Sequence, residues 1–178
     1  MRIAVIGTGG VGGYFGARLS EAGEDVTFIA RGAHLEAMKN KGLAIHSPLG
    51  NMHLDKIQCT DDPSTIAPVD IVMIAVKLWA TNEAIEAARP LLSEGTGIIS
   101  FQNGILAEEL LLKAFTKTHA MGGVANIAAL IEEPGVIRHN GTMASLFFGE
   151  LDNESSSRSK LLLEACEKAN ITASIPED

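Results

Sequence analysis

The chain carries a run of glycines, Gly7-Thr8-Gly9-Gly10-Val11-Gly12, with the spacing Gly-x-Gly-x-x-Gly. The short apolar run Ile3-Ala4-Val5-Ile6 precedes it, and a stretch of helical periodicity follows. In that context each glycine has a physical task. Gly7 permits a tight turn, Gly9 lets the backbone approach a pyrophosphate, and Gly12 lets a helix pack closely on a strand. The helix that starts there offers unpaired N–H groups and a partial positive charge to phosphates. The pattern reads as a dinucleotide loop, with a purely structural turn as the alternative. No Gly-Lys-Ser/Thr follows the glycines, so the other common phosphate loop is excluded.

Three further positions could take part in the same chemistry. Ala30-Arg31-Gly32 stands where an NAD site usually places Asp or Glu for the ribose 2′-hydroxyl. An acid there would repel a 2′-phosphate, whereas Arg31 can grip one with two parallel hydrogen bonds. Arg31 therefore points to NADP(H) rather than NAD, the alternative being a solvated surface arginine. Lys77 follows an unbroken apolar run and would sit at a strand's C-terminal edge, where open α/β sheets bind ligands. It would meet a phosphate or a carboxylate there, or simply face solvent. Asn103, in Gln102-Asn103-Gly104, occupies the equivalent place after the next strand. It could hydrogen-bond substrate or nicotinamide, or belong to a plain Asn-Gly turn. His34, His46, His53, His119 and His139 show no ligand spacing and read as structural or exposed. Asp61-Asp62 reads as a solvated turn or helix cap.

The elements that would position these groups alternate. Ile3–Ile6 reads as a strand buried on both faces and Val11–Ala22 as a helix stopped by Gly23. Asp25–Ala30 completes a β-α-β unit. Ala33–Lys41 is a second helix, and Leu43–His46 with Met52–Cys59 form a hairpin around Pro48-Leu49-Gly50-Asn51. Asp70–Val76 is a strand, Asn82–Ala88 a helix, Gly97–Phe101 a strand and Leu106–Phe115 a helix. This alternation predicts an α/β, Rossmann-type doubly wound and mainly parallel sheet over residues 1–118. Residues 119–178 break the pattern. Met121–Ile131, Val136–His139 and Ser145–Phe148 read as short strands, with turns at Glu133-Pro134-Gly135 and Asn140-Gly141, added antiparallel at the sheet edge. Ser156–Asn170 is a final helix with Leu161, Ala165, Cys166 and Ala169 facing inward, and Ile171–Ile175 a last strand.

The 178 residues fit about one domain, and aromatics are only 4%, so the core is built from aliphatic side chains. The net charge of −8 argues against general nucleic-acid binding, which needs Lys and Arg against phosphates. Cys59 and Cys166 are far apart and read as reduced thiols, with no metal-ligand spacing. There is no basic-then-apolar leader and no run long enough to span a membrane. The chain thus reads as soluble and cytoplasmic.

Together these residues resemble the ketopantoate reductases (2-dehydropantoate 2-reductases). The resemblance is carried by residues 2–16, from Arg2 through the glycine loop to Gly16, by Ala30-Arg31-Gly32, Val76-Lys77, Gln102-Asn103-Gly104 and Pro134-Gly135-Val136-Ile137, and it extends over nearly the whole chain. It implies reduction of 2-dehydropantoate to (R)-pantoate with NADPH, a step toward pantothenate and coenzyme A. It implies that Gly7–Gly12 hold the pyrophosphate and Arg31 the 2′-phosphate. Lys77 would lie near the cofactor ribose, Asn103 would contact cofactor and substrate, and Ala128 would line the nicotinamide side. It also implies a second, all-helical domain that carries the catalytic Lys. This chain ends at Pro176-Glu177-Asp178, where that domain is expected to begin, and no residue matches that Lys. Residues 1–178 are therefore expected to bind NADPH with weak or no turnover. Surface bared without the second domain would favour a homodimer. Two alternatives stay open: a reductase of another 2-oxo acid, and a non-catalytic NADP-binding or sensing module.

Overall fold

The computed structural model describes residues 1–103 and 106–176. The Gln102-Asn103-Gly104 turn is thus described only as far as Asn103, and Glu177 and Asp178 also lie outside the described residues. The chain opens with β1 (Arg2–Ile6), α1 (Gly10–Glu21), β2 (Asp25–Ile29) and α2 (Gly32–Lys41). Then come β3 (Leu43–His46), β4 (Met52–Leu54), β5 (Gln58–Thr60), β6 (Ile71–Ile74), α3 (Thr81–Ala88), β7 (Gly97–Ser100) and α4 (Leu106–Ala114). The long strands β8 (Ala120–Glu133) and β9 (Val136–Glu150), α5 (Ser157–Lys168) and β10 (Thr172–Ser174) complete it.

One sheet holds the described strands in the order β4-β3-β9-β8-β7-β6-β1-β2-β5, with β10 beside β9. The run from β5 through β2, β1, β6 and β7 to β8 is parallel throughout. This is the doubly wound order, and the chain reverses direction across the sheet between β1 and β6. In such sheets the crevice at the C-terminal strand ends, at that reversal, is where ligands bind. Ile3, Ala4, Val5, Ile71, Val72 and Ile74 are wholly buried, as strands covered on both faces must be.

The antiparallel additions lie beyond β7. β8 joins β7 in parallel through Ile98↔Ala120 and Ile99↔Met121, then runs on as a two-stranded ribbon with β9. α1 is packed on two sides. A Cβ on Gly16 would meet the Phe28 ring at 2.7 Å, and one on Gly13 the Ile137 side chain at 2.9 Å. The helix therefore sits between the parallel sheet and the ribbon.

Four local expectations are corrected. Met52–Cys59 is not one strand: β4 pairs antiparallel with β3, and β5 pairs parallel with β2 on the opposite edge. Val136–His139 and Ser145–Phe148 are not separate strands but parts of β9. The chain passes Asn140-Gly141 as a bulge, with Ala128 opposite Asn140 and Ile127 opposite Ala144. The strand read over Asp70–Val76 is shorter, Ile71–Ile74. On α5 Leu161 is exposed and Leu162 is the buried leucine, with Ala165 and Cys166 inward as expected. Three consecutive leucines left the helical phase ambiguous by one residue.

Candidate functional site

The glycine loop joins β1 to α1 at the C-terminal edge of the sheet. Gly7 has φ +93°, which favours glycine, and an added Cβ would also stand 2.8 Å from the Val76 nitrogen. Gly12 lies so close to the strand that a Cβ would come 2.2 Å from the Gly7 carbonyl oxygen. Gly9 differs: nothing lies within 4 Å of where its Cβ would be. Its backbone is open on the side a ligand would approach. Gly9 is the N-cap of α1, and its carbonyl accepts the first helical bond from the Gly13 N–H at 2.8 Å. The N–H groups of Gly10, Val11 and Gly12 occupy the first turn, where a helix has no internal acceptors for them. Gly10 touches the ribbon, and a Cβ there would lie 2.2 Å from the Ala129 carbonyl oxygen.

The loop is tied to the end of β2. The Gly7 N–H and the Thr8 hydroxyl both donate to the Ile29 carbonyl, at 3.2 and 3.1 Å. Thr8 is buried and fixes the loop relative to Arg31, two residues past that carbonyl. A cleft of about 250 Å³ lies here, lined by Gly7, Thr8, Gly9, Arg31, His34 and Asp61 among others. Arg31 forms an ion pair with Glu83 of α3, Nη1 to Oε1 2.7 Å, and both side chains are about 60% exposed.

His34, expected to be structural or exposed, is structural and also lines this cleft. Its Nδ1 accepts a hydrogen bond from the Gly135 N–H at 3.0 Å, in the turn between β8 and β9. A ring nitrogen that accepts is unprotonated, so the imidazole is neutral with its proton on Nε2. Nε2 is buried and makes no hydrogen bond. Burial pushes the His34 pKa down from its ordinary value, and the nearby Thr8 backbone opposes this only in part. The usable sequence signal was its place one turn after Arg31 on α2. Asp62 proves to be a cap: its carboxylate accepts from the Ser64 N–H at 3.0 Å.

A second cleft, about 370 Å³, opens at the end of β7 and start of β8, lined by Ser100, Gln102, Asn103, Glu108, Gly122 and Gly123 among others. Gln102, which sequence reading gave no role, organises this edge. Its Nε2 donates to the Val76 carbonyl at 2.8 Å and to the Thr81 hydroxyl at 3.0 Å. Its Oε1 accepts from the Ser100 hydroxyl at 3.0 Å. The ends of β6 and β7 and the start of α3 are thereby locked beside Asn103, whose side chain is exposed. Lys77 is exposed at the end of β6, and Ala128 is exposed on the ribbon. Among the described residues neither of these two lines either cleft. The structure thus brings Gly7–Gly12 and Arg31 together, and sets Asn103 at a separate mouth on the same sheet edge.

A family model described as ketopantoate reductase PanE/ApbA matches residues 3–153. The chain belongs to the ketopantoate reductase family. Among its relatives, the uncharacterized oxidoreductase YkpB of Bacillus subtilis is 37% identical over 165 residues, covering 93% of this chain and 54% of that protein. The 2-dehydropantoate 2-reductase of Pyrococcus horikoshii is 33% identical over 141 residues, 79% of this chain and 45% of that one. The chain spans about half the length of these curated relatives. The crystal structure of 2-dehydropantoate 2-reductase from Geobacter metallireducens superposes with a TM-score of 0.93 at 34% identity, over 100% of this chain and 58% of that one. The fold is therefore that of the N-terminal part of a ketopantoate reductase, and the family is one of oxidoreductases. Among the described residues no helix is long and apolar enough to cross a membrane, and no cluster of three or more His, Cys, Asp or Glu is arranged to hold a metal.

Proposed function

We propose that this chain is the NADPH-binding part of a reductase that converts 2-dehydropantoate to (R)-pantoate, a step toward pantothenate and coenzyme A. The observation that carries this reading is the open backbone at Gly9, at the head of α1 and bonded through Ile29 to the strand that presents Arg31. The residues present fit the cofactor. Gly9 and the first-turn N–H groups would hold the pyrophosphate, and Arg31 the 2′-phosphate. Lys77 would stand beside the cofactor ribose, and Asn103 would orient nicotinamide and substrate from the second cleft. Ala128 and its neighbours on the ribbon would border the nicotinamide side. When bound, NADPH supplies the hydride.

The chain's own contribution is positional. The lock around Gln102 would hold the Asn103 mouth at a fixed distance from the glycine loop, which is what orients two reactants for transfer. Residues 1–118 form the nucleotide-binding core in this reading, and residues 119–178 cover α1. The proton donor for the developing alkoxide is assigned to the part of the longer relatives that these residues do not match. The partner is a small 2-oxo acid, and the relatives' names support 2-dehydropantoate over other 2-oxo acids.

The test is an activity screen of the complete protein with NADPH and a panel of 2-oxo acids, followed by NADPH absorbance. NADPH consumption with 2-dehydropantoate well above the other acids is expected. Consumption with another 2-oxo acid alone would overturn the substrate, and no consumption with any would overturn the reductase.

A further inference from the structure

The chemistry around Arg31 is less one-sided than a 2′-phosphate site requires. Glu83 meets the guanidinium at 2.7 Å, and Asp61 lines the same cleft. Arg31 is the one cationic side chain among the described residues lining it, since His34 is neutral. Glu83 stands in the first turn of α3, where the helix dipole favours a negative charge, so its carboxylate is stable in place. The pair is open to solvent, with side chains 61% and 60% exposed, and such pairs separate at small cost.

We propose that Glu83 is a specificity-determining residue: its carboxylate competes with the cofactor's 2′-phosphate for Arg31 and so narrows the margin by which this site prefers NADPH over NADH. This rests on the cofactor reading above. A guanidinium has five N–H donors in a fixed fork, and Glu83 takes part of that fork. A phosphate monoester near two negative charges at neutral pH must displace or share with the carboxylate and is repelled by it. NADH carries a hydroxyl at that position, and a carboxylate can accept its hydrogen bond. Glu83 therefore acts against NADPH and not against NADH.

The experiment measures the dissociation constants of NADPH and NADH for the wild type, Glu83→Gln and Glu83→Lys, and for Arg31→Gln with and without Glu83→Gln. Glu83→Gln is expected to tighten NADPH about three- to tenfold, the scale of one exposed charge pair plus relieved repulsion. NADH should be unchanged or slightly weakened, and Glu83→Lys should move further in the same direction. In the Arg31→Gln background the share of the gain that comes from freeing the guanidinium should vanish, so the gain should shrink to the relieved direct repulsion alone. Weaker NADPH binding by Glu83→Gln would overturn the proposal, since Glu83 would then be holding Arg31 in place for the phosphate. An unchanged ratio, or equal shifts for both cofactors, would overturn it too while leaving the cofactor site intact. A wild-type protein that binds neither cofactor would overturn the cofactor reading, and this inference with it.

Discussion

Alanine at position 10 would place its Cβ 2.2 Å from the Ala129 carbonyl oxygen, 2.3 Å from its carbonyl carbon and 2.7 Å from the Leu130 nitrogen. These are backbone atoms of β8, which is tied to β9 on its far side, so no side chain can swing away. The ribbon or the start of α1 would have to retreat by about 1 Å to restore ordinary contact. Overpacking of this kind costs about 1–3 kcal/mol, and backbone on both sides puts Gly10→Ala at the upper end. For a chain of this length that lowers the melting temperature by about 5–10 °C. Alanine at position 9 meets nothing within 4 Å, and the backbone there is extended (φ −86°, ψ −153°), which alanine adopts freely. Gly9→Ala should melt within about 2 °C of the wild type, yet in the proposed site its methyl would stand in the path of the pyrophosphate and should weaken NADPH at least about tenfold. Thermal denaturation by circular dichroism, paired with cofactor titration, reads both effects. A Gly10→Ala protein as stable as the wild type, or a Gly9→Ala protein that binds NADPH normally, would refute the assignment of one glycine to packing and the other to the ligand.

Three further outcomes are expected. Arg31→Asp should weaken NADPH far more than NADH, and equal losses would remove Arg31 from the 2′-phosphate role. His34 is neutral in the fold with its pKa below the ordinary value near 6.5, so the unfolded chain binds the extra proton more readily. Its contribution to stability is complete above about pH 6.5 and is lost as pH falls through the folded pKa; His34→Asn, which keeps an acceptor for Gly135, should flatten that slope in urea melts at pH 5 to 8, and an unaltered slope would contradict it. Burial pushes the Cys166 thiol up to about 12 and also raises the thiol of the partly buried Cys59; a thiol reagent should modify the accessible Cys59 slowly in the native protein and Cys166 only after denaturation, and two fast native thiols would refute this packing.

The unit β1-α1-β2 and the glycine loop were legible in the sequence because their signals are local. An apolar tetrad, a glycine cluster and a helical stripe follow each other without interruption. The place of Arg31 was legible for the same reason, since it lies just past the end of β2. The ribbon was not, because its strands gain their length from pairing with each other and with β3, and a bulge at Asn140-Gly141 looks like a turn in one dimension. The place of β5 was hidden too: three residues, Gln58–Thr60, pair with β2 from some thirty positions away. At the site, Glu83, Gln102 and His34 escaped notice as contributors because each works through a partner distant in sequence. Spacing along the chain shows where a residue falls on its element more readily than which distant partner restrains it.

The central claim is that the described glycine loop and Arg31 form a working NADPH site in these 178 residues. Calorimetric titration of the purified chain with NADPH and with NADH tests it most directly. One NADPH should bind per chain, more tightly than NADH, and the preference should disappear in Arg31→Asp. No heat with either cofactor, or tighter binding of NADH, would contradict the account.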